Sequence, residues 1–600
     1  MYDINYAKEP SSMEKSSRSA NTSLNSRAQP DLFAWKDVKC PGLTPGAGEI
    51  PKLVNRLPKE LCALSYKLSQ NSIWVVFLGG TGTGKSTIFN ALCGEILSET
   101  GVERPKTCGP IVYAHRDVHI RAGFPFPEMS IKRETRTDGG AFCCTGSFGS
   151  MMIVDHVRED LAHLILIDTP DLDSIEAANR QIVEDLYLLS DVVVFVTSQE
   201  KYADDVPFQF MNRIQEDGKP YYLFLNKADS VLDRGEVLAS LQREGLKVRD
   251  DRFKMLPYLA PGPLEHLSRH KAFLAGSSDL LKWLSKTERP VLLEKERKYR
   301  IERLSGKIQT LRDILDREGR AVERWLEQLD AFFNSTCREL FTWQEHHFAA
   351  ETRQYLQQEI RELYGRYDLL RTPRRFVSSL IRGPLRALGL GSPNINESHR
   401  DALLRIRRQI DVAPVQAMIE RFNRLVLESL SPQDEAVPLS RGLRDPHVSL
   451  TAEETRKLVW DNQDQLVLWL EGTFDRLAKG IPKSKEWGIY STSILWGGLI
   501  LSLETAIGGG ISFLEAVFDS AVAPFVTKGA VELFAYRELQ MVARELGERY
   551  QNGMISVVRE QRDRYERVIR SLMTSSQTLE ALHFIQRSIA DGKASMLTGR

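Results

Sequence analysis

Ser72–Thr87 reads SIWVVFLGGTGTGKST, and its reading decides the fold. Ile73–Leu78 is a six-residue apolar run with β-branched Val75 and Val76, the pattern of a strand buried on both faces. It opens into Gly79, Gly80, Thr81, Gly82, Thr83, Gly84, Lys85 and Ser86, which fits G-x-x-x-x-G-K-[ST] without a mismatch. Glycines let successive backbone N–H groups converge on phosphate oxygens, and the helix that follows adds free amides and the positive end of its dipole. In that frame Lys85 reaches the β- and γ-phosphates, while the Ser86 hydroxyl ligates Mg²⁺. A plain glycine-rich turn is the alternative. The strand before the motif and the helical run from Thr87 to Leu92 after it are the context that a phosphate loop requires.

Outward from this loop, apolar runs and amphipathic stretches alternate. Pro51–Gln70 has helical spacing (Leu53, Leu57, Leu61, Leu64) and leads into the first strand. Met151–Val154, Leu164–Ile167, Val192–Val196, Tyr221–Leu225 and, weakly, Phe253–Leu259 read as strands, with helices at Asn179–Ser190, Phe208–Glu216 and Gly235–Glu244 between them. This alternation predicts an α/β fold with a mostly parallel sheet and helices on both faces. Ser98–Ser150, rich in Gly, Pro, Arg and Thr, lacks a period and reads as a long functional loop. Asp168, at the end of the Leu164–Ile167 strand, stands where an acid supports Mg²⁺ through a water. Asn226-Lys227-Ala228-Asp229 follows the Tyr221–Leu225 strand directly. A carboxylate at Asp229 accepts from both the ring N–H and the exocyclic amine of guanine, whereas adenine would leave it unpaired. Asn226 is expected to tie the segment to the phosphate loop, and the Lys227 stem to cover one face of the base.

Gly79–Thr87, Asp168-Thr169-Pro170-Asp171 and Asn226–Asp229, in this order, resemble the translation-factor-related class of P-loop GTPases, specifically bacterial Era-like and dynamin-like members. The likeness covers roughly residues 50–286. It implies GTP and GDP as ligands, Mg²⁺ held by Ser86, Thr107 and Asp168, and hydrolysis served by Lys85, Thr107 and Asp168. Thr107 takes the place of the family's switch threonine, with Thr100 as its competitor. The base-side backbone motif near Leu259-Ala260 lacks the family's serine. Asp171 stands in place of the family's glycine, and Leu172 in place of the water-orienting glutamine of Ras-like members. Gly82 replaces the asparagine of potassium-activated relatives. An apolar Leu172 cannot orient water, so turnover is expected to be slow unless a group is borrowed from the switch loop or a second molecule.

Composition bounds the rest. Lys+Arg and Asp+Glu both total 80, so no field of the whole chain favours nucleic acid or an anionic surface. Seven cysteines, an odd number without a C-x-x-C pair, give neither a disulfide framework nor a zinc site and suit a reducing cytosol. Met1–Asn25 lacks the apolar stretch of a signal peptide.

From about Val291 the pattern becomes helical throughout. Ile301, Leu304, Ile308, Leu311 and Leu315, then Val322, Trp325, Leu329 and Phe332, repeat at three-four spacing, interrupted at Glu318 and Gly319, which predicts an intramolecular bundle. Residues 371–396 carry Arg371, Arg374, Arg375, Arg382 and Arg386 among apolar residues and no acid. Such a segment suits an anionic membrane surface, at about 1 kcal/mol per cation, or equally a solvated face of the bundle. Trp487–Leu503 is uncharged, and with the glycine-centred run after it (Gly508, Gly509, Gly510) reads as an apolar hairpin, either dipping into lipid or buried.

The expected organisation is a disordered segment 1–48, within which Asp31–Trp35 docks on the body, then a GTPase domain 49–286. A helical stalk 287–485, the apolar hairpin 486–528 and a returning helix 529–600 follow. The expected function is a GTP-hydrolysing switch or dynamin-like mechanoenzyme in the cytoplasm, self-associating and touching the inner face of a membrane. The alternatives are an Era-like GTPase of ribosome or RNA assembly, and a GTP-binding scaffold with negligible hydrolysis.

Overall fold

The computed structural model describes residues 33–99, 109–134, 149–173, 177–199, 205–229, 232–243, 245–259, 269–286, 289–347, 412–479 and 533–591. Two units are distinguished: one from Met1–Val38, Gly48–Ile314 and Thr574–Arg600, the other from Lys39–Ala47 and Leu315–Met573.

The first unit is built on an eight-stranded sheet: β1 (Ile73–Leu78), β2 (Ile111–His115), β3 (Ser130–Glu134), β4 (Ser150–His156), β5 (Leu164–Asp168), β6 (Val192–Ser198), β7 (Tyr221–Ala228) and β8 (Phe253–Pro257). Their order is β3-β4-β2-β5-β1-β6-β7-β8. Every neighbouring pair is parallel except β2 and β5. β1 is wholly buried, and its side chains alternate between two cores. Trp74, Val76 and Leu78 join Tyr66, Tyr187, Ile214 and Leu241, contributed by α2 (Ile50–Leu68), α4 (Ala177–Leu189), α5 (Asp205–Glu216) and α6 (Arg234–Arg243). Ile73, Val75 and Phe77 join Phe89, Leu92, Phe273 and Leu284, contributed by α3 (Lys85–Cys93) and α7 (Lys271–Lys286). A strand flanked on both sides must be continuously apolar, which is why IWVVFL shows no polar alternation.

At the amino ends of the strands lies a buried charge cluster. Asp191 accepts from Lys67 Nζ (2.5 Å), the Trp74 amide (2.9 Å) and Arg300 of α8 (Arg289–His347; 3.0 Å). Burial pulls Lys67 down to about 8, and Asp191 opposes that shift.

In the second unit, Val322, Trp325 and Leu329 of α8 pack with α9 (Ala413–Ser429), α10 (Pro438–Leu443) and α12 (Leu533–Ser571) through Phe422, Leu439, Tyr565 and Ile569. A second cluster joins α9, α11 (Ala452–Lys479) and α12 through Ile419, Val459, Leu546 and Met554. In the first unit, α13 (Ser576–Ala590) packs against α1 (Phe33–Lys36), whose neighbourhood buries Trp35.

Several expectations are corrected. Among the described residues the fold class is a mostly parallel but mixed sheet with helices, followed by an all-α region, and no apolar helical hairpin is among them. Among the described residues no helix is long and apolar enough to cross a membrane. The described helices place Lys, Arg, Asp and Glu throughout their sequences, as amphipathic bundle helices do. Trp487–Leu503, the basic segment 371–396 and Thr107 lie outside the described residues. Within the expected loop Ser98–Ser150, residues 111–115 and 130–134 are strands. Within the segment expected to be disordered, residues 33–48 hold α1 and a 3₁₀ turn at Pro45–Glu49. Glu318, expected to interrupt the helical stripe, is buried because its carboxylate accepts from the amides of Gly42 (3.0 Å), Leu43 (3.0 Å) and Thr44 (2.6 Å).

Candidate functional site

Register brings the sequence motifs to one edge of the sheet. Phe77 of β1 lies beside Asp168 of β5 and beside Val194 of β6, and Ser198 of β6 lies beside Asn226 of β7. The carboxyl ends of these parallel strands therefore open together, the position at which α/β sheets bind ligands. Gly79, Gly82 and Gly84 have positive φ values of 159°, 72° and 93°. Close packing also demands glycine at two of them. A Cβ on Gly79 would lie 2.0 Å from the Val196 carbonyl oxygen, and one on Gly84 would lie 2.2 Å from Asn226 Nδ2.

That nitrogen donates to the Thr83 carbonyl at 2.8 Å, so Asn226 ties the base-side segment to the phosphate loop as the sequence led us to expect. Thr83 Oγ1 closes the loop on the Gly80 carbonyl at 2.9 Å. Lys85, 4% exposed, donates to the same carbonyl at 3.1 Å and pairs with Asp171. Thr87 follows in the first turn of α3.

Asp168 is fully buried. One carboxylate oxygen accepts from the Ser86 and Ser98 hydroxyls, each at 2.7 Å, while Oδ1 is buried without a partner among the described residues. Burial raises its pKa, with the two hydroxyls and the Lys85 charge opposing. An orphaned carboxylate oxygen next to a serine oxygen is a hard donor set that fits Mg²⁺ or a water bound to it. Among the described residues no group of three or more His, Cys, Asp or Glu side chains could hold a metal.

On the base side, Lys227 has φ 56°, the one positive value outside glycine among the described residues. The β7–β8 pairing is irregular between Leu225 and Ala228, and this left-handed residue turns the chain there. The Asp229 amide donates to Gln199 Oε1 at 2.8 Å, and its side chain is exposed. Of the expected residues, the structure gathers Gly79 to Thr87 and Asp168 and connects Asn226, Lys227 and Asp229 to them through the Asn226–Thr83 bond.

Sequence reasoning missed four contributors. Ser98 shares Asp168 with Ser86. Gln199 fixes the Asp229 backbone. Asp171 reaches Lys85 by its side chain, and Asp173 accepts from the Thr81 amide (2.7 Å) and hydroxyl (2.5 Å). The legible signal was the pair of extra acids in Asp171-Leu172-Asp173.

Residues 74–227 match the family described as 50S ribosome-binding GTPase. An uncharacterized protein encoded in the xynA 3′ region of Caldicellulosiruptor sp. (strain Rt8B.4) is 24% identical over 270 residues. That alignment takes in 43% of this chain and 63% of the relative. Two solved structures come from work on an oligomerised bacterial dynamin pair that provides a mechanism for long-range sensing and tethering of membranes. They are each 12% identical, with TM-scores of 0.39 and 0.36, covering 96% and 98% of this chain and 99% and 97% of theirs. Neither superposition reaches the level of a shared fold along the full length, so the motifs and the family match carry the assignment. By both, this chain contains a P-loop GTPase domain of the Era-like kind.

Proposed function

We propose that the chain is a GTP-binding and GTP-hydrolysing switch, with GTP and GDP as its ligands and Mg²⁺ as its cofactor. One observation carries the reading. The Asn226–Thr83 bond and the Ser86–Asp168 bond fasten the base-reading segment and the metal-side acid to the same phosphate loop. Lys85 and the loop amides from Gly79 to Thr87 then hold the phosphates. Ser86 and Asp168 would hold Mg²⁺, which would supply charge neutralisation to the phosphates. Asp229 selects guanine.

Leu172 is 5% exposed and packed in the core, with its amide on the Gly79 carbonyl at 3.2 Å. It offers no group to an attacking water, so intrinsic turnover is slow and a partner or second copy raises it. The family match supports the ribosomal reading over the membrane one: the large ribosomal subunit is the partner class that the matched family's description names. Calorimetric titration with GDP, GTP and ATP tests the pocket. Guanine nucleotides bind, ATP does not, and Lys85→Ala binds none; equal uptake of ATP and GTP refutes the reading. Phosphate release per chain, followed as protein concentration rises and with large ribosomal subunits added, tests the borrowed group. A near-zero rate in every condition leaves a GTP-binding scaffold.

A further inference from the structure

The phosphate loop is engaged by two carboxylates of its own chain. Lys85 Nζ is paired with Asp171, and Asp173 Oδ1 accepts from the Thr81 amide at 2.7 Å and the Thr81 hydroxyl at 2.5 Å. An ammonium and a phosphate-loop amide are the groups that a phosphate oxygen would take, and a carboxylate oxygen on them has the same charge sign and the same acceptor chemistry. Between the two acids, Leu172 is anchored twice, by its burial in the core and by its amide on the Gly79 carbonyl at 3.2 Å. That anchor holds Asp171 and Asp173 against the loop from a fixed point one residue away on either side. Both contacts lie within the first unit.

We propose that Asp171 and Asp173 are specificity-determining residues which set the preference between GDP and GTP, by occupying groups that the γ-phosphate needs and by repelling the charge it adds. The inference rests on the GTPase reading above and specifies how that site weighs its two ligands. A diphosphate must draw Lys85 from Asp171. A triphosphate must do the same, place further negative charge at the same edge of the sheet, and settle beside both half-buried carboxylates. Like charges a few ångströms apart disfavour one another most where water is excluded. The cost therefore falls more heavily on the triphosphate, and the resting chain favours GDP. Mg²⁺ beside Asp168 would reduce the penalty by neutralising phosphate charge, which makes triphosphate binding the more metal-dependent of the two.

The experiment titrates the full chain with GDP and with a non-hydrolysable GTP analogue, with Mg²⁺ present, by calorimetry. It compares wild type with Asp171→Asn, Asp173→Asn and the double variant. Each amide keeps the shape and removes the charge. The expected result is a rise in the analogue-to-GDP affinity ratio of about tenfold in the double variant, with a smaller rise in each single one. A ratio unchanged within twofold overturns the proposal. So does a fall, which would make the carboxylates helpers of the γ-phosphate. If the double variant loses both nucleotides, the two single variants decide by the same ratio. Wild-type protein that binds neither nucleotide refutes the GTPase reading instead, so the two failures are told apart.

Discussion

Asn226 and Gly84 meet at one contact, and that contact fixes what a double-mutant cycle should read. Asn226 Nδ2 donates to the Thr83 carbonyl at 2.8 Å, and the bond is buried. Removing it with Asn226→Ala leaves a buried acceptor unpaired, which costs about 1–3 kcal/mol, or roughly 5- to 150-fold in GDP affinity if the loop must be rebuilt on binding. Gly84→Ala carries two separate costs. Its φ of 93° lies in the left-handed region, which strains an L-residue by about 1–2 kcal/mol, and the new Cβ would stand 2.2 Å from the same Nδ2. The side chain must therefore leave Thr83, so Gly84→Ala also forfeits the Asn226 bond. In the double variant the clash has no partner and the bond is already absent. Only the backbone strain is added, and the two single effects sum to more than the double effect by about 1–3 kcal/mol. Calorimetric titration of GDP into the full chain and the three variants, with thermal unfolding as a check on folding, measures the cycle. Additivity within 0.5 kcal/mol, on the order of the error expected for independent sites, would refute the claim that this contact couples the phosphate loop to the base-side segment.

Three further outcomes follow from single contacts. Asp229→Ala should erase discrimination between GTP and ATP by about a thousandfold or more while leaving the phosphate contacts in place, as competition binding would report; a preserved preference would place guanine recognition elsewhere. Glu318→Ala strands three amides, those of Gly42, Leu43 and Thr44, and should destabilise the second unit by about 3 kcal/mol or more in denaturant unfolding, with under 1 kcal/mol counting against a buried anchor. His156 is held neutral at about 4, first by burial and then by His115, against an ordinary value of 6.5. Its folded pKa is depressed, so the unfolded chain binds the extra proton: stability is full above pH 6.5 and falls by at most ~3 kcal/mol as pH drops from 6.5 through 4. His156→Phe, which keeps a ring against Tyr113, should flatten that slope in urea midpoints measured across the range, and an unaltered slope would assign it to other groups.

How much of this was legible depended on whether the signal was local. IWVVFL followed by the glycine loop needed no tertiary knowledge, because both its burial and its phosphate chemistry are written in consecutive residues. The placement of Asp168 and Asn226 needed only the order of the strands. β2 was illegible because Ile111–His115 is five residues long, enclosed in a polar, glycine-rich stretch, and gains its full burial only by pairing between β4 and β5. β3, with SIKRE, is an edge strand whose charged residues are mostly exposed, so no apolar alternation marked it. Glu318 read as a break in a helical stripe for a related reason. Its partners are amides some 275 positions away, and no window along the chain can contain both.

Asp168 is the point to which both described flanks of the segment between α3 and β2 return. On one side, Asn90 Oδ1 accepts from the Leu97 and Ser98 amides at 3.0 Å each, and the Ser98 hydroxyl donates to Asp168. On the other, the antiparallel pairing of β2 with β5 sets Ile111 directly beside Asp168. The same carboxylate takes the Ser86 hydroxyl from the phosphate loop, and its second oxygen has no partner among the described residues. A cation drawn to that oxygen competes for the charge on which Ser86 and Ser98 depend. Both ends of the 98–111 stretch that the structure describes thus adjoin the one carboxylate. The antiparallel step in an otherwise parallel sheet is what makes this possible: were β2 parallel to β5, its amino end would lie at the opposite edge, and only one flank would meet the acid.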